Sequence, residues 1–312
     1  MKYLITGIEG FVGGYLAEEL VKTNNEVFGT YFLEDTLLEV VRDKCRLKHI
    51  DITDKESVYK YISEVKPDVI FHLAAQSSAA ASWKRPQLTM EININGSINL
   101  MEAVKASFKD TRIVLIGSSE EYGIVPKEDN PISEELILRP NNPYAVSKAA
   151  CESLGKLYNK AYNMDIVMAR SFNHIGIRQS EQFVISDFSK RIAEISTGKR
   201  EPVFEVGNLD AERDFTDVRD VIRAYIIISE KGNNGEIYNV GSGTARSIKH
   251  YLNYMIEREK LNIEIVNDES RMRPSDNPVL CCDNTKLKKL GWSLSNNIYD
   301  TIDGMIDYWK YR

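Results

Sequence analysis

The stretch KYLITGIEGFVGG, residues 2–14, decides the fold that the sequence predicts. Its apolar start is typical of a buried strand, its glycines mark a tight turn, and the residues that follow have the apolar spacing of a helix. Gly7 allows the turn, Gly10 lets the backbone approach a ligand, and Gly13 lets the helix pack closely on the sheet. The stretch therefore predicts the first strand, turn and helix of a doubly wound α/β fold.

The start of such a helix attracts an anion. Its first N–H groups have no partner within the helix, and the helix dipole adds partial positive charge. We therefore expect the pyrophosphate of a dinucleotide at this turn. A glycine triplet can also serve a purely structural turn, but its setting after an apolar strand favours the dinucleotide.

Composition excludes several classes of protein. The chain has 312 residues, 43% of them hydrophobic, and a net charge of -6, which argues against a nucleic-acid surface. It has neither a signal-like start nor an apolar run long enough to cross a membrane, so we expect a cytoplasmic protein. Its cysteines have no zinc spacing and predict reduced, buried thiols.

Strands and helices alternate along the first half of the chain. Their order predicts a parallel sheet with helices on both faces. We expect a Rossmann-type domain over residues 1–171, rejoined by residues 217–241. A smaller, discontinuous α/β lobe that binds substrate is expected over residues 172–216 and 242–312.

Strand ends are the candidate ligand contacts, because open α/β sheets bind ligands there. Tyr31 stands where an acidic residue usually contacts the adenosine ribose, so NAD and NADP both remain open and we expect modest discrimination. Asp51 is either an adenine contact or part of a cap before the next helix, for which residues 53–56 predict a capping box. His72 is expected to be a core residue, and Asn93 lies within a helix predicted from residue 87.

A second group of residues has the chemistry of a proton relay. Tyr144 and Lys148 are four residues apart on a predicted helix, which Asn142 should cap, so they share one face. A nearby ammonium stabilises a phenolate, and we expect Lys148 to lower the pKa of Tyr144. Ser118 follows a predicted strand and could hydrogen-bond a carbonyl or hydroxyl of the substrate.

These motifs, in this order, resemble the extended short-chain dehydrogenase/reductase family of NAD-dependent epimerases and dehydratases. The resemblance covers essentially the whole chain. Four longer phrases resemble family members that act on GDP-6-deoxyhexoses, and they lie at residues 118–123, 172–176, 207–218 and 271–275.

The resemblance implies a role for each matched position. Tyr144 would donate a proton, Lys148 would support it electrostatically and Ser118 would orient the carbonyl. The cofactor, NAD or NADP, would contact Gly7, Gly10, Phe11, Val12, Gly13, Tyr31, Asp51, Ile52, Leu73, Ala74, Ala75, Asn93, Tyr144 and Lys148. The GDP-sugar would contact Ser118, Ser119, Asn173, Asp187, Arg213, Arg273 and Asp276. No metal site is expected.

Three of these substrate contacts have a specific chemical assignment. Arg213 and Arg273 would clamp the diphosphate, for which planar guanidinium groups suit both charge and geometry. Asp187 would accept hydrogen bonds from the guanine, or would simply be part of a solvated helix face.

Three residues depart from the reductase pattern or leave the reaction ambiguous. Ile177 and Arg178 stand where the pattern has Pro-Gly, in the expected substrate loop. Glu120 matches a glutamate with which the related dehydratases remove a sugar proton, so it is compatible with either reaction.

The resemblance implies NAD(P)H-dependent reduction of the C4 ketone of a GDP-4-keto-6-deoxyhexose, giving a product of the GDP-6-deoxy-D-mannose or rhamnose type. GDP-mannose 4,6-dehydration is the alternative. A non-catalytic NAD(P)-binding sensor is disfavoured, because Ser118, Tyr144 and Lys148 are all present. The helices expected at about 87–107 and 143–163 could pair between two subunits, so a homodimer is also expected.

Overall fold

The computed structural model describes residues 1–34, 37–107, 110–269 and 277–312. Arg273 and Asp276, which the sequence analysis expects to contact substrate, lie outside the described residues, as does the phrase at 271–275. The strands are β1 Lys2–Thr6, β2 Glu26–Tyr31, β3 Arg46–His49, β4 Val69–His72, β5 Arg112–Ser118, β6 Ile166–Ser171, β7 Asn173–Ile175, β8 Val203–Val206, β9 Glu212–Asp217, β10 Ile237–Val240, β11 Ala245–Ser247, β12 Glu264–Asn267 and β13 Val279–Leu280.

The helices alternate with these strands. They are α1 Phe11–Leu20, α2 Lys55–Val65, α3 Ala79–Lys84, α4 Pro86–Met90, α5 Gly96–Ser107, α6 Pro143–Tyr162, α7 Val184–Ser196, α8 Val218–Lys231, α9 Ile248–Glu259, α10 Thr285–Lys289 and α11 Ile298–Lys310.

A seven-stranded sheet forms the centre of the larger lobe. Its order is β10-β6-β5-β4-β1-β2-β3, and each neighbouring pair of strands is parallel. Apolar residues of α1 and α8 cover one face, and those of α2, α5 and α6 cover the other. The predicted doubly wound α/β fold is confirmed. The strand order reverses between β1 and β4, which is where such sheets leave a crevice for a ligand.

The smaller lobe has its own core and sheet. Strand β9 pairs with β7, β11 and β13, and β8 pairs with β12. Apolar residues of α7, α9 and α11 pack against β8 and β9. Residues of the segment 217–241 form α8 and β10, and β10 lies beside β6 in the large sheet.

Local capping explains two helix starts. The side chain of Asn142 accepts the N–H of Ala145, so the predicted cap of α6 is confirmed. For α2, the cap is Asp54, whose side chain accepts the N–H groups of Glu56 and Ser57. The capping box predicted at residues 53–56 is therefore wrong, because the aspartate one position later captures these N–H groups.

The long helix predicted from residue 87 is interrupted. A π-helical turn, Glu91–Asn95, separates α4 from α5 and contains Asn93. Such turns insert one extra residue into a helix and are frequent at functional sites. The apolar periodicity of the segment does not reveal this turn, because the flanking helices keep their own spacing.

The glycine turn is held by close backbone contacts. Gly7 has a φ of +71°, and a Cβ at this position would lie 2.8 Å from Cα of Ala74 after β4. A Cβ at Gly13 would lie 2.5 Å from the carbonyl oxygen of Gly7 and 2.8 Å from Cα of Ile8. Neither set of backbone atoms can move away without disturbing the sheet.

The close backbone packing at Gly13 predicts that alanine has opposite effects on stability at Gly13 and at Gly14. We expect Gly13→Ala to lower the free energy of unfolding by about 1–3 kcal/mol, the usual cost of overpacking. Gly14 is the matched control, since a Cβ there would meet nothing within 4 Å and alanine favours the helix by up to about 1 kcal/mol. Urea unfolding of the two variants measures both effects, and equal stabilities would contradict this account of the turn.

Candidate active site

The three predicted catalytic side chains come together at the end of β5. Ser118 ends that strand, and Tyr144 and Lys148 lie in the first turns of α6. The Ser118 side chain lies close enough to the Tyr144 hydroxyl to lower the pKa of the phenol, and Lys148 Nζ donates to the carbonyl oxygen of Ile116 at 2.7 Å. All three predicted groups are buried, with exposed fractions of 8% to 9%.

Burial sets the protonation of this group. It raises the pKa of the Tyr144 phenol, the nearby polar side chain of Ser118 opposes this, and the carboxylates of Glu121 and Glu120 raise the pKa further. Burial also lowers the pKa of Lys148. The expectation of a lowered tyrosine pKa is wrong for this structure, because desolvation outweighs any stabilisation of the phenolate. At neutral pH the phenol keeps the proton that a proton donor needs.

Glu121 is a residue that the sequence analysis missed. Its side chain is fully buried, and Oε1 accepts the N–H of Ser118 at 2.6 Å. Ser118 Oγ accepts the N–H of Glu120 at 3.2 Å, so a capping box closes around the turn Ser119–Tyr122. The box fixes the backbone of the predicted carbonyl-orienting serine. The pattern S-x-x-E at 118–121 could have indicated it.

The ion pair next to Glu121 leaves this carboxyl protonated. Arg170 binds both carboxylate oxygens of Glu152, at 2.7 and 2.8 Å, and lies 3.9 Å from Oε2 of Glu121. This Oε2 has no hydrogen-bond partner among the described residues. Burial, and then the charge of Glu152, raise the pKa of Glu121 to about 8.

Asn93 connects two of the elements that surround the site through its side-chain hydrogen bonds. Its amide donates to the Gln76 carbonyl oxygen at 3.1 Å and to Ser147 Oγ at 2.8 Å, and its oxygen accepts the Gln76 N–H at 2.8 Å. Its exposed fraction is 1%. Both amide hydrogens are therefore used to tie the loop after β4 to α6, and the contact of Asn93 with the cofactor stays a prediction.

His72 continues this buried network. Its ring nitrogens lie 2.8 Å from Thr6 Oγ1 and 3.0 Å from Ser97 Oγ. Burial, and then the charge of Lys148, lower the pKa of His72 to about 3. The prediction of a core histidine with satisfied hydrogen bonds is confirmed.

The turn after β1 has the shape that a dinucleotide needs. Gly10 begins α1 without a side-chain cap, and the first turn of α1 carries no acidic residue. Because Gly7 and Gly13 have no side chains, backbone atoms form the surface of the turn at these two positions. Ala74 continues this backbone wall after β4, and Leu73 and Ala75 beside it are half-buried. The residues present therefore fit a pyrophosphate at the start of α1.

The predicted adenosine contacts differ in their surroundings. Tyr31 is half-buried at the end of β2, where its ring packs edge-on to His49 at 5.4 Å. Asp51 Oδ1 accepts the N–H and hydroxyl of Thr53 in the turn before α2, and a contact of Asp51 with adenine stays a prediction. Ile52 is 7% exposed and belongs to the core between the sheet and α2.

A cavity of about 360 Å³ contains several predicted substrate contacts. Its wall includes Glu120, Asn173, Asp187 and Arg213. Glu120 links the cavity to the catalytic group, since its Oε2 accepts from the side chain of Asn142, the cap of α6, at 3.0 Å. Ser119, in contrast, is only 4% exposed and lies outside this wall.

Two charged substrate candidates already have protein partners. Asp187 Oδ2 pairs with Arg191 at 3.2 Å, and Arg213 donates to the carbonyl oxygens of Glu212 and Asn277 at 2.8 Å. These contacts hold both side chains at the cavity wall. Asp187 keeps 30% of its side chain exposed.

The departure at residues 177–178 has a structural consequence. Arg178 adopts a φ of +75°, which glycine adopts more readily. Its guanidinium pairs with Glu18 at 2.6 Å and lies over the Tyr15 ring at 4.3 Å, and Tyr15 donates to the Ile177 carbonyl oxygen. These contacts attach the expected substrate loop to α1. The same contacts stabilise the loop and so offset the free-energy cost of the left-handed backbone conformation at Arg178.

The cysteines of the described residues carry free thiols. Cys45, Cys151, Cys281 and Cys282 are all free, with Cys151 and Cys282 buried and the other two half-buried. Across the described ranges we find no helix with the length and apolarity to cross a membrane, and no cluster of three or more potential metal ligands.

The sheet, the glycine turn and the Ser-Tyr-Lys group define an NAD(P)-binding protein of the extended short-chain dehydrogenase/reductase class. The model of the family described as GDP-mannose 4,6 dehydratase matches residues 4–305. The chain therefore belongs to the GDP-mannose 4,6-dehydratase family, and the predicted resemblance is confirmed.

Relatives in this family include both reductases and dehydratases. GDP-6-deoxy-D-mannose reductase of Pseudomonas aeruginosa is 32% identical over 312 residues, which cover 100% of this chain and 98% of that protein. GDP-mannose 4,6 dehydratase 2 of Arabidopsis thaliana is 30% identical over 97% of this chain and 85% of its own length.

Solved structures are similar over the whole chain. RMD from Pseudomonas aeruginosa, complexed with NADPH, has a TM-score of 0.88 and 32% identity, covering 100% of this chain and 99% of its own. UDP-glucose 4-epimerase from Thermus thermophilus, in complex with NAD, has a TM-score of 0.89 and 28% identity, covering 99% of both chains. The prediction of an NAD(P)-dependent enzyme is confirmed.

The raised pKa of Glu121 predicts an unusual pH dependence of stability. Above pH 4.5 the unfolded chain loses this proton while the folded chain keeps it up to about pH 8, so ionisation favours unfolding as the pH rises between these values. Glutamine cannot ionise, and its oxygen can accept the Ser118 N–H. We expect the free energy of unfolding of Glu121→Gln to gain on that of the wild type by up to about 5 kcal/mol across this window, at about 1.4 kcal/mol per pKa unit.

Urea unfolding at several pH values between 5 and 9 measures the effect. Glu128→Gln is the control, since Glu128 is exposed. Parallel stability profiles for Glu121→Gln and the wild type would contradict a protonated, buried Glu121.

Proposed function

We propose that this protein is an NAD(P)H-dependent reductase of the C4 ketone of a GDP-4-keto-6-deoxyhexose. The observation that carries the proposal is the Ser118–Tyr144–Lys148 group next to the cavity that Glu120 lines. Support comes from the full-length similarity to a relative named GDP-6-deoxy-D-mannose reductase.

Each side chain has a defined task in this proposal. Ser118 hydrogen-bonds the C4 carbonyl oxygen and aligns it with the Tyr144 hydroxyl. Tyr144 donates its proton to that oxygen, and Lys148 stabilises the remaining phenolate by its positive charge. When bound, NAD(P)H supplies the hydride. Asn93 and Glu121 act indirectly, because they hold the loop after β4 and the backbone of Ser118 in place.

The cofactor is proposed to lie along the glycine turn. Its pyrophosphate would meet the backbone of Gly7, Gly10 and Gly13 at the start of α1, where an anion is favoured. Phe11 and Val12 begin that helix and would border the pyrophosphate.

The GDP end is proposed to lie in the smaller lobe. Arg213 and Arg273 would hold the diphosphate, with Asp276 nearby in sequence, and Asn173 would contact the sugar. Asp187 would accept from the guanine, since it retains exposed area in the cavity wall beside Arg191. The alternative for Asp187 is an ion pair that only shapes the wall.

A homodimer in the cytoplasm is part of the proposal. Apolar side chains lie exposed on α3, α4 and α6, as a dimer contact would require, namely Trp83, Leu88, Val146, Leu157 and Tyr162. Free thiols fit a reducing compartment.

Dehydration of GDP-mannose is the second candidate, and Glu120 favours it. This carboxylate lines the cavity and could remove a sugar proton. A dehydratase returns its hydride within one cycle and consumes no added NAD(P)H, whereas a reductase consumes one equivalent per product.

The assay follows NAD(P)H absorbance with each sugar, paired with chromatography of products. We expect stoichiometric oxidation with GDP-4-keto-6-deoxy-mannose and little reaction with GDP-mannose. Tyr144→Phe should lower turnover by on the order of a hundredfold or more, because the transferable proton is lost. Glu120→Gln should lower turnover much less than Tyr144→Phe does.

Tyr162→Phe is the control for the tyrosine change, since this residue lies on the same helix but is exposed. Conversion of GDP-mannose to a 4-keto sugar without net cofactor consumption, abolished in Glu120→Gln, would make the protein a dehydratase. Near-normal turnover of a folded Tyr144→Phe variant would show that Tyr144 is not the proton donor.

A further inference from the structure

Asn277 connects the segment after the turn Ser119–Tyr122 with Arg213 in the cavity wall. It lies just before β13 and is 8% exposed. Its side-chain oxygen accepts the N–H of Val125 at 2.7 Å, and its side-chain nitrogen donates to the carbonyl oxygen of Gly123 at 2.7 Å. Its backbone carbonyl oxygen accepts from Arg213 at 2.8 Å. One buried residue thus contacts two separate parts of the candidate site.

The segment that the Asn277 side chain contacts is also held by the chain at Arg139. Gly123 has a φ of +70°, and a Cβ there would lie 1.8 Å from the carbonyl oxygen of Arg139. The Gly123 N–H donates to the carbonyl oxygen of Glu120 at 3.0 Å, and the Arg139 N–H donates to that of Glu121 at 3.2 Å. Contacts with Arg139 and with Asn277 together fix the turn that carries Glu120.

The two ends of this connection lie on one cavity, since Glu120 and Arg213 both line its wall. In the proposed reaction, the C4 carbonyl of the sugar meets Ser118 and Tyr144 while the diphosphate meets Arg213. A pyranose ring keeps C1, which carries the diphosphate, at a nearly fixed distance from C4. The protein must therefore hold these two contact regions at a matching separation.

We propose that Asn277 is a positioning residue that sets the separation between the diphosphate contact Arg213 and the turn that follows Ser118. The inference rests on the proposed function, because it uses the substrate contacts assigned there. Asn277 acts through other residues, since its side chain holds the turn and its backbone holds Arg213.

Removal of the side chain separates these two tasks. The buried Val125 N–H and Gly123 carbonyl oxygen would lose their partner, which destabilises this placement of the turn. The backbone carbonyl oxygen that accepts from Arg213 would remain. We therefore expect the turn to shift relative to a diphosphate site that stays intact.

The test compares turnover with nucleotide binding in Asn277→Ala of the full chain. We expect kcat to fall by about tenfold to a hundredfold, because misplacing a reacting group by about 1 Å can have this effect. The dissociation constants for GDP and for NAD(P)H, measured by calorimetry, should change by less than about threefold, since each contact region is retained. A general loss of stability would not separate turnover from binding in this way.

Asn284→Ala is the matched control. Asn284 is also a buried asparagine whose side chain donates to a backbone carbonyl oxygen, that of Gly241 at 2.9 Å, and it lies outside the cavity wall as the described residues form it. It should lower the stability in urea as Asn277→Ala does, but change kcat by less than about threefold.

A second variant covers a failure to fold. If circular dichroism shows that Asn277→Ala is unfolded, Asn277→Asp takes its place. It keeps an oxygen for the Val125 N–H but turns a second oxygen toward the Gly123 carbonyl oxygen, so the same fall in kcat is expected.

Turnover of the wild type is measured first, with GDP-4-keto-6-deoxy-mannose and with GDP-mannose, and the variants are compared on the sugar that reacts. A wild type that reacts only with GDP-mannose would contradict the proposed reductase, while the ratio of variant to wild type would still test Asn277. An unchanged kcat in a folded Asn277 variant, an equal loss of GDP binding, or an equal fall in kcat for Asn284→Ala would overturn the positioning role. A wild type that reacts with neither sugar would overturn both proposals.

Discussion

Close backbone packing around the glycine turn is the constraint on which the rest of the structure depends. The turn fits between the start of α1 and the loop after β4 because Gly7 and Gly13 have no side chain to fill the space. The same contact leaves the beginning of α1 open to an anion and brings Glu9 across to the residues after β2. Packing and the site for a pyrophosphate therefore share one origin.

A buried polar network supports the other half of the site. Burial, and then the charge of Glu152, raise the pKa of Glu121, whose carboxyl holds the Ser118 backbone, while Glu152 itself pairs with Arg170. One oxygen of Glu121 lacks a hydrogen-bond partner among the described residues, which costs stability, while the other contacts of the network fix one arrangement of the Ser118 backbone. The proposed chemistry needs that precision, because proton donation requires the tyrosine hydroxyl and the carbonyl oxygen to meet within hydrogen-bond distance.

Much of the fold could be predicted because its signals are local. The apolar strand, the glycine spacing and the Asn142 cap each lie within a few consecutive residues. The π-helical turn, the Asp54 cap and the raised pKa of Tyr144 could not, because they depend on competition between alternatives or on burial. Glu9 was missed because its contacts lie 23 and 24 positions away and exist only in the packed structure, whereas Glu121 has a local signal, the pattern S-x-x-E, that could have indicated it.

The central claim is that hydride moves once, from the cofactor to C4 of the sugar. The most direct measurement uses NADH or NADPH carrying deuterium at the transferable position, with GDP-4-keto-6-deoxy-mannose as substrate, and locates the label in the product by NMR and mass spectrometry. Our account predicts one deuterium at C4 of every product molecule. Unlabelled product, or a label that moves within GDP-mannose from C4 to C6 without consumption of the cofactor, would contradict it.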